Sequence, residues 1–168
     1  MLDSEETSDG HNYSNECEAE LVARLVQVLV TTSLAGSRSI GVITFYQKQR
    51  SLIQEKLKTR KIQERLLKRV KVNTVDAFQG QEEDIIIISC VRATRNYNKK
   101  IGFVNSLQRL NVALTRARES LFVCGHFDTL RTDETWKDMI EDATKRSLTH
   151  NITSVFELAT LRPLLIKQ

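Results

Sequence analysis

The stretch Asp84-Ile-Ile-Ile-Ile-Ser-Cys-Val91 carries apolar side chains at consecutive positions rather than at alternate ones. A strand that is apolar on both faces is typical of a parallel sheet covered by helices on each side. Shorter strands are predicted at Ile40–Thr44, Val70–Val75 and Leu121–Cys124. We therefore expect a parallel sheet at the centre of this protein.

Segments with helical spacing of apolar residues alternate with these strands. Helices are predicted at residues 18–34, capped by Ser14 or Asn15, at 47–67 with a break near Thr59, at 106–118 and at 135–146. Alternating strands and helices indicate the α/β class. Residues 1–13 are predicted to be a flexible lead-in, residues 14–147 one domain, and residues 148–168 a tail.

The charge of the chain is distributed unevenly. The 168 residues have a net charge of +4, but residues 1–20 hold seven acids and no lysine or arginine. Residues 21–168 therefore hold 25 bases against 14 acids, a balance of +11, and residues 48–71 alone hold ten bases against two acids. Such clustering favours an anionic partner, although a solvated helix surface is an equally good interpretation of charge alone.

Several classes of protein are excluded by composition. No apolar run approaches the roughly 20 residues that a membrane-spanning helix needs, and the acidic, polar start differs from a secretory signal. The cysteines are far apart, without Cys-x-x-Cys pairs or zinc-type spacing to histidines: Cys17, Cys90 and Cys124. They are predicted to be free thiols in a reducing compartment, and no metal site is predicted.

A complete active site is not found in the sequence. The chain has no Gly-x-x-x-x-Gly-Lys-Ser/Thr phosphate loop, no Gly-x-Ser-x-Gly elbow and no apolar strand that ends in a paired Asp-Glu. We therefore do not expect a self-sufficient enzyme.

Residues 72–82 form the first of two segments that suggest a binding site. The strand ends at Val75, Asp76 can cap the following turn, and Gly80 allows backbone amides to approach a ligand beside Glu82. On local physics alone, an ordinary strand-to-helix turn explains the same residues.

The second segment, Arg109-Leu-Asn-Val-Ala-Leu-Thr-Arg-Ala-Arg118, combines three arginines with an apolar helix face at Leu107, Leu110 and Leu114. In a helix, Arg109 and Arg116 would lie on nearly the same side. Arginine suits phosphate because its charge is permanent and its donors form a planar fork. A basic face exposed to water is the alternative.

Three strings resemble the motifs of one helicase family and occur in the family's order. Val75-Asp-Ala-Phe-Gln-Gly-Gln-Glu82 with the isoleucine strand after it resembles motif V of the Upf1-like superfamily 1 helicases, and Arg109–Arg118 resembles motif VI. Ile40-Gly-Val-Ile-Thr-Phe-Tyr-Gln-Lys-Gln49 resembles motif IV, with Phe45 where the family usually has proline. Within the family, the senataxin-like branch is the most similar.

The resemblance implies a RecA-like fold of the P-loop NTPase type, in which this chain is the second motor domain of a helicase. ATP and Mg²⁺ would be held mainly by the first RecA-like domain of the same full-length protein. The family pattern then makes Arg116 the catalytic arginine finger and places Gly80, Glu82 and Arg109 with Arg116 at the nucleotide, and Thr44, Tyr46 and Thr74 at the nucleic acid.

The function implied by this resemblance is ATP-driven movement along nucleic acid from 5′ to 3′ and its unwinding. The partners would be single-stranded RNA or DNA, or an RNA:DNA hybrid, with no membrane partner, and the location would be the nucleus, with the cytoplasm as an alternative. Two other functions stay open. One is an RNA-decay helicase of the Upf1 type, and the other is a catalytically inactive binding or scaffold domain.

Overall fold

A computed structural model describes residues 6–10, 12–32, 35–94 and 101–152. In chain order the strands and α-helices are β1 (Thr7–Asp9), β2 (Asn12–Ser14), α1 (Glu16–Thr31), β3 (Ile40–Thr44), α2 (Gln47–Thr59), α3 (Glu64–Leu67), β4 (Val70–Thr74), β5 (Glu83–Ser89), α4 (Leu107–Leu114), β6 (Ala117–Cys124), α5 (Phe127–Leu130) and α6 (Glu134–Lys145). Short 3₁₀ turns occupy Asp76–Phe78 and Gly102–Asn105.

The central sheet has four parallel strands in the order β4-β3-β5-β6. The register pairs Thr44 with both Thr74 and Ser89, and Ser89 with Cys124. The carboxyl ends of all four strands therefore meet along one edge of the sheet, which we call the carboxyl edge. The predicted α/β, RecA-like fold with a parallel sheet is confirmed.

The isoleucine strand is buried on both faces, as its composition predicts. Ile85 and Ile87 pack into a core beneath α1 and α2, whereas Ile86 and Ile88 pack into a second core beneath α4 and α6. Trp136 of α6 is fully buried in the second core. Alternate side chains of a single strand thus join two separate helix layers to the sheet.

The helix predicted at residues 106–118 is shorter in the structure, and this prediction was wrong at its carboxyl end. Helix α4 ends at Leu114, and β6 begins at Ala117. Alanine and arginine favour a helix locally, but the backbone carbonyl of Arg116 accepts a hydrogen bond from the Glu83 N–H at 3.1 Å. Parallel pairing with β5 therefore determines the structure here. The buried strand predicted at 121–124 is a longer edge strand within the described sheet, exposed over residues 118–121.

The predicted break near Thr59 is confirmed, because α2 ends there and α3 begins at Glu64. Six of the ten bases in residues 48–71 bind other groups of the protein. Lys56 and Arg60 form ion pairs with Glu20 of α1, while four more contact carbonyls, a glutamine or a carboxylate: Arg50, Arg65, Arg69 and Lys71. Much of the basic stretch is therefore structural.

Strands β1 (Thr7–Asp9) and β2 (Asn12–Ser14) pair as an antiparallel hairpin, and Gly10 after β1 has a positive φ, so regular structure lies within the region predicted to be a flexible lead-in. Glu6 anchors the hairpin, since its carboxylate accepts two hydrogen bonds from the buried Arg92 guanidinium at 2.8 and 3.0 Å. The Ala93 N–H donates to the same carboxylate at 2.8 Å. Sequence patterns within residues 1–13 could not indicate a partner more than 80 positions away.

The remaining predictions concern the ends and the cysteines. Asn15 is the cap of α1, where its side chain accepts a hydrogen bond from the Glu18 N–H at 3.0 Å. All three cysteines are free thiols, with Cys90 and Cys124 buried. Most of the tail predicted at 148–168 lies outside the described residues. Within the described ranges, no helix is long and apolar enough to cross a membrane, and no cluster of three potential metal ligands is found.

Candidate functional site

The segment that joins β4 to β5 is fixed at its start and open in its middle. The Val75 N–H donates to the Thr44 carbonyl at 2.9 Å, and the side chains of Val75 and Phe78 are buried. Gly80 then adopts a φ of +78°, in the left-handed region that favours glycine. A Cβ placed on Gly80 would meet no atom within 4 Å. The turn therefore presents its backbone to open space.

Helix α4 places one arginine near each of its ends. The Ser106 side chain caps the helix, and Leu110 and Ala113 are its buried residues. Leu107, which was predicted to belong to the apolar face, is 64% exposed. The face that packs on the sheet is therefore rotated relative to the predicted leucine stripe, and Arg109 and Arg116 remain half-buried beside it.

The two segments lie side by side and contact each other at both ends. At one end, the Arg109 guanidinium donates from Nε and Nη2 to the two carboxylate oxygens of Asp76, each at 3.1 Å. At the other end, Arg116 Nη1 donates to the Gln81 carbonyl at 3.4 Å. A cavity of about 340 Å³ lies between the segments near the first end. Residues that are 33 and 35 positions apart in sequence thus form one surface.

Arg116 and Arg118 have different surroundings. The Arg116 guanidinium donates only to neutral acceptors in the part of the chain that the structure describes: the Val112 carbonyl at 3.0 Å, the Gln81 carbonyl and the Thr115 hydroxyl. Arg118 instead lies near two carboxylates, Glu82 at 3.4 Å and Asp84 at 3.7 Å. Of these two arginines, Arg116 is the one without a carboxylate partner among the described residues, and it contacts the Gln81 carbonyl next to Gly80.

Glu82 and Arg109, both predicted at the nucleotide, are engaged within the protein. Glu82 is exposed and pairs with Arg118. Arg109 uses two donors on Asp76 and stacks on the Phe103 ring, with its guanidinium carbon 4.6 Å from the ring centre. Glu82 remains accessible, whereas the geometry of Arg109 indicates a structural contact between the two segments.

The predicted nucleic-acid residues lie at the carboxyl edge but differ in exposure. Thr74 is half-buried at the end of β4, whereas Thr44 is fully buried. The Thr44 hydroxyl has no hydrogen-bond partner among the described residues. Tyr46 is 2% exposed and packs edge-on against Tyr13 with ring centres 5.3 Å apart. Its ring is therefore not accessible for stacking on a base in this structure.

Glu18 is a buried carboxyl group at the carboxyl edge that sequence reasoning did not identify as important. The spacing Asn15-x-x-Glu18 is that of a capping box, in which the glutamate would bond back to the Asn15 N–H. That N–H instead donates to Gln49 Oε1 at 2.9 Å. Glu18 Oε1 accepts hydrogen bonds from the Ser89 hydroxyl at 2.6 Å and the Val91 N–H at 2.8 Å.

Burial raises the pKa of Glu18 from 4.5 to about 7, although its hydrogen bonds from Ser89 and Val91 lower the pKa in part. The folded protein therefore holds this proton over a pH range in which the unfolded chain releases it. The stabilisation is fully present below pH 4.5 and is lost as the pH rises through about 7. Glu18 thus joins α1 to the end of β5, at the same edge of the sheet as Thr44 and Thr74.

We expect Glu18→Gln to remove this pH dependence. Glutamine can accept the same two hydrogen bonds but does not ionise. The free energy of unfolding of the variant, relative to that of wild type, should therefore rise by about 2–3 kcal/mol between pH 5 and pH 8. Urea unfolding of both proteins at the two pH values measures the difference. The neighbouring thiols do not interfere, because burial raises the pKa of Cys124 to about 12 and that of Cys90 well above its ordinary value. An equal pH dependence in both proteins would show that Glu18 is already ionised when folded.

Comparison with known proteins identifies the family of this chain. A protein-family model described as an AAA domain matches residues 2–128, so the chain belongs to that family. The chain is 42% identical over 147 residues to "Probable helicase senataxin" of Mus musculus, covering 86% of this chain and 5% of the mouse protein. These findings confirm the resemblance to Upf1-like superfamily 1 helicases.

Two further relatives come from other organisms. "Helicase SEN1" of Saccharomyces cerevisiae is 36% identical over 146 residues, which is 85% of this chain and 6% of the yeast protein. "Regulator of nonsense transcripts 1 homolog" of Arabidopsis thaliana is 40% identical over 142 residues, which is 83% of this chain and 11% of the plant protein. The chain thus spans 5–11% of the length of these three relatives.

Proposed function

We propose that this chain is the second motor domain of an ATP-dependent helicase that moves 5′ to 3′ along single-stranded RNA or DNA and unwinds RNA:DNA hybrids. The main support is Arg116, whose guanidinium has only neutral partners among the described residues and lies beside the open turn at Gly80. An uncompensated arginine in a helicase-family domain fits a phosphate, because its fork matches phosphate oxygens.

In this proposal the nucleotide lies between this domain and the first RecA-like domain of the same full-length protein. ATP supplies the phosphoryl group, and Mg²⁺ is held mainly by acids of that first domain together with its phosphate loop. Arg116 would contact the negative charge on the phosphoryl group that is transferred. The backbone at Gly80 and the carboxylate of Glu82 would face the phosphate and ribose side of the nucleotide. The nucleotide-facing groups on this chain thus come from motifs V and VI.

The single strand is proposed to lie across the carboxyl edge at β3 and β4. The accessible hydroxyl and backbone at Thr74 would contact phosphates there, and Thr44 would contribute through the same strand end. Phosphate contacts by hydroxyls and backbone N–H groups position a strand without reading its sequence. We propose the nucleus as the location, which is what the resemblance to senataxin-like helicases implies. The similarity to a regulator of nonsense transcripts favours an RNA-decay helicase as the second candidate.

We expect the purified chain to bind single strands weakly and in a salt-dependent way. If three or four phosphates are neutralised, the logarithm of the binding constant should fall against the logarithm of the salt concentration with a slope of roughly −2 to −3. Thr74→Ala should weaken binding about tenfold or more, because one hydrogen bond to a charged group is worth about 1.5–3 kcal/mol. Fluorescence anisotropy of labelled single-stranded RNA measures both effects.

Thr135→Ala is the matched control, because Thr135 is exposed on α6. This variant should bind as wild type does. A salt-dependence slope near zero would show that the basic surface does not bind the single strand. An equal loss of affinity in both threonine variants would argue against a contact at Thr74.

A further inference from the structure

Asp76 and Arg109 form a bidentate ion pair between the two segments of the candidate site. Both Asp76 carboxylate oxygens accept from the Arg109 fork at 3.1 Å, and the guanidinium also lies over the Phe103 ring. The Arg109 side chain is 33% exposed and that of Asp76 is 66% exposed. We call this pair the clasp. Its planar geometry is specific for arginine, which lysine cannot reproduce.

One side of the clasp is tied to the proposed single-strand site. Asp76 follows Thr74 by two residues, and the residue between them, Val75, is buried and bonded through its N–H to the Thr44 carbonyl. A phosphate bound at Thr74 would therefore lie two residues from the Asp76 carboxylate, on the other side of the anchored Val75. Few rotatable bonds separate the two positions.

The other side of the clasp is tied to Arg116. Arg109 lies in the first turn of α4, and Arg116 follows the last helical residue, Leu114, by two positions. The Arg116 side chain also rests on that last turn, because its Nε donates to the Val112 carbonyl. Helix α4 is therefore a short rigid connection between the clasp and the proposed finger.

We propose that the clasp couples occupancy of the single-strand site at Thr74 to the placement of Arg116 in the nucleotide cleft. Arg109 is then a positioning residue that acts through α4, in place of the nucleotide contact that the family pattern implied for it. The inference rests on the proposed function, since it assigns a route between the two sites of that function.

The exposure of the clasp allows this contact between the two segments to serve a coupling role as well. Exposed ion pairs contribute only about 0–1 kcal/mol to stability, so the clasp can open and close without unfolding the domain. The pair between Arg92 and Glu6 differs, since its side chains are 2% and 10% exposed and it anchors the hairpin. Coupling between two sites typically changes an affinity at least fivefold, and that magnitude is within reach of one bidentate pair.

The test uses the full-length protein and the ratio of ATP turnover at saturating single-stranded RNA to turnover without RNA. Asp76→Asn and Arg109→Gln should each lower this ratio by about threefold to fivefold, the upper limit that an exposed ion pair of about 1 kcal/mol allows. The double variant should lower it no further, because the two groups act as one unit. Asp76→Glu, which keeps the carboxylate, should retain at least half of the wild-type ratio.

Asp142→Asn is the matched control. Asp142 pairs with Arg146 on α6 in another exposed aspartate–arginine contact, with both side chains 65% exposed. This variant should keep the wild-type ratio, and the melting temperatures of all these variants should stay close to wild type. Equal falls in stimulated and unstimulated turnover would overturn the coupling role. So would a double variant whose fold-reduction of the ratio equals the product of the two single fold-reductions.

Failure of the clasp and failure of the proposed function give different results. If Arg116→Ala abolishes turnover while Asp76→Asn keeps the full ratio, the coupling is wrong and the motor assignment stands. If Arg116→Ala keeps wild-type turnover, the proposed role of the finger is itself wrong.

Discussion

Arg116→Ala in the full-length motor is expected to lower kcat by about 10³-fold or more, the range in which arginine fingers act. The expected loss is large because the guanidinium would meet developing negative charge in a cleft that excludes water. Steady-state ATP turnover at saturating single-stranded RNA measures it. Arg116→Lys should recover little of the rate, because lysine keeps the charge but loses the planar fork.

The fold should tolerate the substitution. Arg116 lies in the turn between α4 and β6, is half-buried, and donates only to neutral acceptors among the described residues. Loss of such hydrogen bonds costs about 1 kcal/mol each at most when the acceptors remain open to water. A melting temperature close to wild type, together with unchanged affinity for RNA, would separate a catalytic defect from unfolding.

Arg118→Ala is the local comparison for this prediction. Its side chain is paired with Glu82 and Asp84 rather than left uncompensated, so the variant should lose far less turnover than Arg116→Ala. Strong loss in Arg118→Ala with normal turnover in Arg116→Ala would place the finger at 118. Normal turnover in both variants would show that neither Arg116 nor Arg118 of motif VI takes part in ATP hydrolysis.

The sheet could be predicted from sequence because its signal is local. Four consecutive isoleucines can be satisfied only where both faces of a strand are covered, and residues 85–88 do pack alternately into two cores. The break after Thr59 was predictable for the same kind of reason, since the helical pattern weakens there.

The errors arise where a distant partner decides the local structure. Arg116 and Ala117 favour a helix by propensity, but pairing with β5 draws the chain into a strand. The hairpin at residues 7–14 depends on Arg92, which lies more than 80 positions from Glu6. No periodicity within either segment carries that information.

The sequence predicted which residues belong to the candidate site, but not the contacts that these residues make. Motif resemblance implied roles for Arg109 and Tyr46 at ligands, whereas the structure engages Arg109 with Asp76 and buries Tyr46. Glu18 was missed because a capping box and a buried carboxyl at a strand end share the same local spacing. Only the three-dimensional arrangement separates these alternatives.

We also expect that the chain of residues 1–168 hydrolyses no ATP by itself. Phosphoryl transfer depends on positioning and charge neutralisation together. The chain offers an arginine and an open turn, but its sequence contains no Gly-x-x-x-x-Gly-Lys-Ser/Thr loop to cradle the phosphates. In the proposed motor those groups come from the first RecA-like domain.

The most direct test of the account is therefore ATP turnover by the purified chain and by the full-length protein, each measured with and without single-stranded RNA and DNA. We expect no turnover above background for the chain under any condition, and turnover stimulated by single strands for the full-length protein. Turnover by the chain alone would contradict the assignment as half of a two-domain motor. A full-length protein that binds single strands without hydrolysing ATP would instead support an inactive binding domain.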